Sequence, residues 1–398
     1  MAKPTSNPFP PLQFITATED LAALCARLAD ETFITIDTEF LRERTYYPEL
    51  CLVQIAGQSE LAVIDALAPG LDLAPLGELM ALPALRKVFH AARQDVEIFL
   101  NIFGAVPLDI FDTQIAAMVA GYGDQVGYDS LVQSVTGGQI DKAHRFSDWS
   151  ARPLSPAQLN YAAADVTYLR QVYERLCERL DREGRLEWVA EEMAELADPN
   201  TYRADPETMW ERLRPRTNNR RMLGLLQAIC AWREREAQRV NIPRQRLLKD
   251  ESLLEIAATA PTNADSLARV RGISKGFAEG KSGQGLLAAL QAAHSRADED
   301  LPQPPNSKEG PRPSPALVAL LKVLLAAKAE THNVAAKLIA SSDDLDRLAA
   351  EDAPEIPALH GWRYELFGAD AQALKAGEIA LGVNGKKIKL IKSQANGG

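Results

Sequence analysis

FITIDTEF (residues 33–40) is a short run of β-branched and aromatic residues with two acids set two positions apart. Such a run reads as a strand, and side chains alternate along a strand, so Asp37 and Glu39 share one face. Their neighbours Ile34, Ile36, Thr38 and Phe40 are mostly apolar or β-branched. Two carboxylates side by side in such a strand repel each other and lose hydration at a cost. A bridging divalent cation removes that cost. A strand end where both acids reach water would do so too.

Outward from this stretch the first half of the chain alternates strands and helices. LCLVQIAG (50–57) and ELAVIDAL (60–67) read as strands adjacent to the first in a meander. APLGELMAL (74–82) reads as a helix and RKVFHA (86–91) as a fourth strand. ARQDVEIFLNIFG (92–104) is then a helix ending at Gly104, and PLDIFDTQIAAMVAGYG (107–123) gives a short strand and another helix. This alternation predicts a mixed α/β domain. Asp95 falls near the start of the 92–104 helix, where an acid is also favoured by the helix dipole. From Ser155 the pattern becomes one long helix, with Ser155 as N-cap and Pro156 at the first helical position. Asp165 sits in YAAADVTYL among alanines that allow close approach. Tyr161 lies four residues earlier on the same helical face. By themselves the two could be an exposed polar pair.

Charge divides the chain. The whole carries −10, but residues 1–206 carry −15, residues 207–296 carry +7 and residues 297–398 carry −2. The basic segment is either a solvated helical face or an attraction for phosphate backbones. DPNTYRADP (198–206) reads as a domain boundary, and the Pro-rich, charged stretch 297–315 as a linker. Residues 207–296 and 316–392 read as helical. LLQAICAWREREAQRVNIPRQRLLKDESLLEIA (225–257) and LLKVLLAAKAETHNVAAKLIASSDDLDRLA (320–349) share a long helix, a short break and a second helix led by acids. They read as a diverged repeat. No apolar run approaches a membrane span, and the N-terminus lacks the apolar stretch of a signal peptide. Four scattered cysteines with no C-x-x-C pair give neither a zinc ribbon nor a redox motif. A cytoplasmic protein with reduced thiols is expected. No long coiled-coil repeat demands an oligomer, so a monomer with no obligate protein partner is expected.

Taken in order, DTEF in a strand, H-x-x-x-x-D at a helix start and Y-x-x-x-D on a helix resemble the DEDD exonuclease family, in its Tyr-containing branch. DTEFLRERTYYPELCLVQIA, HAARQDVEIF, IFDTQIAAM and FSDWSARPLSPAQLNYAAADVTYL are similar to the motifs of the ribonuclease D group, over roughly residues 30–185. The resemblance implies a ribonuclease H-like α/β exonuclease domain (1–206) followed by two all-α domains. The first of these (207–296), with MLGLLQAICAWREREAQRVNIPRQRLLKDESLLEIA, resembles the helicase-and-RNase-D C-terminal (HRDC) domain. The second (316–398) resembles a diverged copy. It further implies that Asp37, Glu39, Asp95 and Asp165 bind two divalent metal ions and that Tyr161 positions the attacking water. An all-carboxylate set suits Mg²⁺ or Mn²⁺ rather than zinc. The implied reaction is 3′→5′ hydrolysis of RNA to nucleoside 5′-monophosphates, on tRNA precursors and other small structured RNAs. Phe40 and His90 are candidate substrate contacts, and each is also a plausible core residue. Arg145 and Trp149, in DKAHRFSDWSAR (141–152), suit a single-stranded RNA end, unless the aromatics pack that loop on the domain. Arg214, Arg216, Arg220 and Arg221 are candidate phosphate contacts, with GKKIKLIK (385–392) a smaller basic candidate. The same active-site motifs would serve a 3′→5′ exodeoxyribonuclease. A non-catalytic RNA-binding scaffold would be favoured by a replacement at one of the four carboxylates, and none occurs.

Overall fold

The strand-forming runs of the first half build one six-stranded sheet. Its strands are β1 (Gln13–Ile15), β2 (Phe33–Leu41), β3 (Glu49–Ala56), β4 (Leu61–Asp65), β5 (Arg86–Phe89) and β6 (Ile110–Asp112). The order across the sheet is β1-β4-β3-β2-β5-β6, so β2, β3 and β4 are the expected meander. β4 runs antiparallel to β3 with Leu52 opposite Asp65 and Ala56 opposite Leu61. β1 is parallel to β4, β5 to β2 and β6 to β5. Both faces of β2 are covered, as its continuous Phe-Ile-Thr-Ile run requires: Phe33, Ile34, Thr35 and Ile36 are all buried. The computed structural model describes residues 9–141, 143–144, 147–304 and 312–392. Contacts group the chain into two compact units, residues 1–38, 52–198 and 310–398 in one and 39–51 and 199–309 in the other.

Among the described residues seven α-helices accompany the sheet: α1 (Thr18–Leu28), α2 (Ala74–Met80), α3 (Arg93–Phe103), α4 (Thr113–Val119), α5 (Tyr128–Thr136), α6 (Pro156–Arg182) and α7 (Leu186–Ala197). α3 stops where Gly104 takes a left-handed conformation (φ 76°). Ser155 and Gln158 form a reciprocal capping box at the start of α6. No proline marks its end. α6 nevertheless stops at Arg182, because Gly184 turns the chain with φ 67°.

The basic segment folds as α8 (Arg220–Val240), α9 (Arg244–Leu247), α10 (Asp250–Thr259), α11 (Ala264–Leu267), α12 (Lys275–Glu279) and α13 (Lys281–His294). Its core includes Leu223, Leu226, Ile229, Leu253, Ile256, Leu267 and Leu286. The last block contains α14 (Pro315–His332), α15 (Ala336–Ile339), α16 (Ser342–Ala350), α17 (Gly361–Arg363) and α18 (Ala369–Ala376). The two blocks correspond in detail at their start. Each long helix, α8 or α14, ends on an asparagine in the left-handed conformation, Asn241 (φ 50°) or Asn333 (φ 51°). A four-residue helix follows, then one of ten residues (α10) or nine (α16).

The helical expectation for residues 316–392 fails at its end. Ile379–Asn384 (β7) and Lys387–Lys392 (β8) pair as an antiparallel hairpin. The reason is local: Asn384-Gly385 is a turn signal, Gly385 adopts φ 62° in the two-residue turn Gly385-Lys386, and Lys387 to Leu390 alternate lysine with apolar residues. GKKIKLIK is therefore an exposed hairpin strand with its turn.

The final helical block packs on the first domain. Trp362 stacks on Trp188 at 4.6 Å and 9°. Arg363 pairs with Glu191 at 3.0 Å and also with Glu192. At the Asn333 corner the Ala335 N–H donates to the Met118 carbonyl (3.0 Å), and Arg185 donates to the His332 carbonyl (2.8 Å). Gly121 sits against this corner with φ 82°, and a Cβ there would lie 2.2 Å from the Asn333 amide and 2.4 Å from its carbonyl oxygen. Gly121→Ala is expected to destabilise the protein by about 2 kcal/mol or more, since backbone strain adds to the overlap. Gly123→Ala, with φ 100° and nothing within 4 Å, should cost only the strain, about 1 kcal/mol. Chemical denaturation of the two variants checks the difference.

Candidate active site

The strand and two helices bring the acids together. Asp37 and Glu39 stand on β2, Asp95 on the first turn of α3 and Asp165 in the middle of α6. α6 lies along the odd-numbered face of β2, where the Thr35 hydroxyl donates to the Val166 carbonyl at 2.8 Å. One carboxylate oxygen from each of Asp37, Glu39 and Asp165 lies within 4.8 Å of the others. Asp95 stands outside that trio. It accepts a 2.5 Å hydrogen bond from the Thr38 hydroxyl, on the next residue of the same strand.

Burial sets the electrostatics. Asp95 is 5% exposed and Asp165 9%. Loss of water pushes the Asp165 carboxyl up to about 7. Asp37 is raised well above the usual range by burial and by the Asp165 charge, and Asp95 by burial and by the Asp37 charge. Among the described residues no Lys or Arg forms an ion pair with Asp37, Asp95 or Asp165. Buried acids without a cation are costly to ionise. An all-oxygen donor set of this kind fits a hard divalent cation.

Two supports were not evident in the sequence. Thr38 fixes Asp95, as described. Asp112, N-cap of α4, accepts from the backbone N–H groups of Ala91 (3.0 Å), Ala92 (2.8 Å) and Gln114 (2.7 Å). It therefore holds the left-handed Ala91 turn (φ 59°) that launches α3 and orients Asp95. The Asp-Thr pair at 112–113 signalled a helix cap; its grip on the turn at 91–92 is tertiary. Tyr128 is a further missed neighbour. Its hydroxyl donates to the Ala164 carbonyl at 3.1 Å, and burial together with the Asp165 and Asp37 charges raises its pKa.

Tyr161 is partly exposed on α6. Its ring lies beside Trp149 (5.9 Å, tilted 31°) and His144 (6.4 Å). A cavity of about 430 Å³ borders it, lined in part by Phe9, Leu61, Asn160 and Tyr168. Trp149, at 3% exposure, packs on Tyr161 and offers solvent no stacking face. Arg152 of the same loop is bound to Asp65 at 2.5 Å, and Arg145 lies outside the described residues. His90 uses both ring nitrogens internally, on the Thr113 hydroxyl (3.0 Å) and the Val126 carbonyl (3.2 Å), and burial lowers its pKa. Phe40 follows Glu39 on β2, partly exposed. In the basic domain Arg214 and Arg216 are exposed. Arg220 donates to the Leu301 carbonyl (2.6 Å), and Arg221 to the Arg296 carbonyl (2.6 Å) and to Asp298 (2.6 Å). The latter two brace the 296–302 segment.

Known proteins resemble this chain along nearly its whole length. A family described as 3′-5′ exonuclease matches residues 12–181, and the HRDC domain family matches residues 222–290. Ribonuclease D of Granulibacter bethesdensis is 69% identical over 98% of this chain and 99% of its own. Ribonuclease D of Gluconacetobacter diazotrophicus is 67% identical over 98% of this chain and all of its own. The crystal structure of Escherichia coli RNase D, described as an exoribonuclease involved in structured RNA processing, superposes with a TM-score of 0.78. It has 31% identity and covers 92% of this chain and 99% of that one.

Proposed function

Because this chain belongs to the ribonuclease D family of 3′→5′ exoribonucleases, we propose that Asp37, Glu39, Asp95 and Asp165 hold two divalent metal ions and that Tyr161 orients the attacking water. The observation that carries this is the partly buried Asp37–Glu39–Asp165 trio, whose oxygens approach within 4.8 Å, with no Lys or Arg among the described residues paired to either aspartate. When bound, the ions supply positive charge at the phosphoryl oxygens and make hydroxide available near neutral pH. Mg²⁺ or Mn²⁺ suits the donor set. Thr38 and Asp112 keep the Asp95 carboxylate in place. A phenol, with a solution pKa of about 10, is a poor free base, and Tyr161 is not assigned that part. Its role is to hydrogen-bond and aim the water, with Trp149 and His144 limiting the swing of its ring.

The substrates proposed are the 3′ ends of tRNA precursors and other small structured RNAs, acted on by a monomer. Phe40 borders the acids and is the proposed contact for the terminal nucleotide. Arg214 and Arg216, exposed in the basic domain, are the proposed phosphate contacts. The block from 316 is proposed as a second, diverged HRDC domain, supported by the matched Asn241 and Asn333 corners.

A time course on 3′-extended tRNA labelled at either end tests the activity. The 3′ label should leave at once as mononucleotide while the 5′-labelled RNA shortens stepwise. Faster loss from DNA of the same sequence would favour the deoxyribonuclease reading, and no shortening would favour a scaffold. Tyr161→Phe is expected to lower the single-turnover rate by about 100-fold, since only the hydroxyl is lost. Its metal-titration midpoint should stay that of the unaltered protein; a shifted midpoint would make Tyr161 part of the metal shell.

A further inference from the structure

The chain leaving Glu39 is held by the basic helical domain. β5 pairs with β2 only at Phe33, Ile34 and Thr35. The half of β2 that carries Asp37 and Glu39 therefore runs on beyond its β5 partner. Leu41 ends the strand, and the segment Arg42–Pro48 follows before β3 begins. That segment is anchored at Tyr46 and Tyr47. The Asn241 Oδ1 accepts from both of their backbone N–H groups, each at 3.1 Å. The Tyr46 hydroxyl donates to the Glu234 carboxylate and accepts from Gln238 (3.1 Å). Arg244 pairs with Glu234 at 2.8 Å and stands over the Tyr46 ring at 5.6 Å. Glu234, Gln238 and Asn241 lie at i, i+4 and i+7, one stripe of α8 and its cap.

A carboxylate on a helix at 1% exposure is an expensive feature unless it is paired. Glu234 is satisfied by two partners, and one of them is Tyr46. The other unusual feature of this stripe is Asn241, whose left-handed backbone leaves its side chain free to accept from the two N–H groups. Both features meet on one seven-residue segment that starts three residues after Glu39. β3 is bonded to the other edge of β2, and beyond the end of the β5 ladder at Thr35 the hold on Tyr46 and Tyr47 supports the same stretch of chain.

We infer that Tyr46, Glu234 and Asn241 are positioning residues for the hydrolytic site: through them the first helical domain holds the end of β2 and sets the place of Glu39. This rests on Glu39 being a metal ligand, as proposed above.

The test uses the full chain and reads the Mg²⁺ concentration giving half-maximal single-turnover rate, with RNA affinity measured in parallel. Tyr46→Phe removes one hydroxyl. Asn241→Gly removes the acceptor while keeping a residue suited to the left-handed cap, and Asn241→Asp keeps the acceptor. In Tyr46→Phe and Asn241→Gly the Mg²⁺ midpoint is expected to rise about tenfold, with RNA affinity and the rate at saturating Mg²⁺ within about threefold of normal. Asn241→Asp should restore the normal midpoint. A purely structural contact would lower the unfolding temperature and leave the midpoint of the folded protein unmoved. Unchanged midpoints in both variants, beside lost turnover in Glu39→Gln, would overturn the inference alone. Retained turnover in Glu39→Gln would overturn the ligand assignment and the inference with it.

Discussion

Asp165→Asn is expected to lower turnover on RNA by about 10³-fold or more, with Asp37→Asn similar and RNA affinity nearly unchanged. The substitution is nearly isosteric, so packing in the middle of α6 survives. What is lost is one negative charge from a trio whose oxygens lie within 4.8 Å. That charge is what attracts a cation into a buried place, and the cation stabilises charge that develops only in the transition state. The basic residues of the helical domain are untouched, so binding should persist. Single-turnover kinetics and filter binding on the same RNA separate the two effects. Asp165→Asn retaining most of its turnover would remove Asp165 from the site. Equal losses in rate and affinity would mean that it binds substrate rather than metal.

The proposed site residues on β2 and α6 were legible because each is fixed by a local period. Alternation along FITIDTEF puts Asp37 and Glu39 on one face of β2, and helical spacing puts Tyr161 and Asp165 on one face of α6. Ser155 and Pro156 mark where α6 begins. What was hidden is the part that depends on residues far apart in sequence. The Thr38 hydroxyl reaches an acid 57 positions on, and Asp112 reaches back across 20 or 21 to the turn before α3. Nothing local distinguishes either from an ordinary strand threonine or helix cap. Tyr46 is more extreme, since its partners lie 188 to 198 positions away. In the 141–152 loop, whose composition suits RNA, Trp149 packs on Tyr161 and Arg152 pairs with Asp65, while Lys142, Arg145 and Phe146 lie outside the described residues. The hairpin at the end of the chain, by contrast, carried its own signal in Asn384-Gly385.

Removing divalent metal should abolish activity and also reverse how the protein responds to pH. In the metal-free chain the Asp165 carboxyl sits at about 7 against an ordinary 3.8, and Asp37 and Asp95 are raised in the same direction by burial and mutual repulsion. A carboxyl whose folded-state pKa exceeds its unfolded value binds its proton more tightly when folded. Its contribution to stability is therefore complete below the unfolded pKa and is lost as pH rises through the folded one. In excess chelator, chemical denaturation should show stability falling by a few kcal/mol between about pH 5 and about pH 8. Asp165→Asn has no such proton to lose and should flatten that slope. With Mg²⁺ the sign changes, because the ions bind the ionised acids and compete with protons. Metal affinity should rise with pH over the same interval. At about 100 times its dissociation constant, Mg²⁺ should return about 2.7 kcal/mol of stability near pH 8. Activity in chelator should fall to background at every pH. Metal-free stability that is level or rising across this range, and equal in Asp165→Asn, would mean that water reaches the acids freely. The cluster would then lack the strain that a bound cation is proposed to relieve.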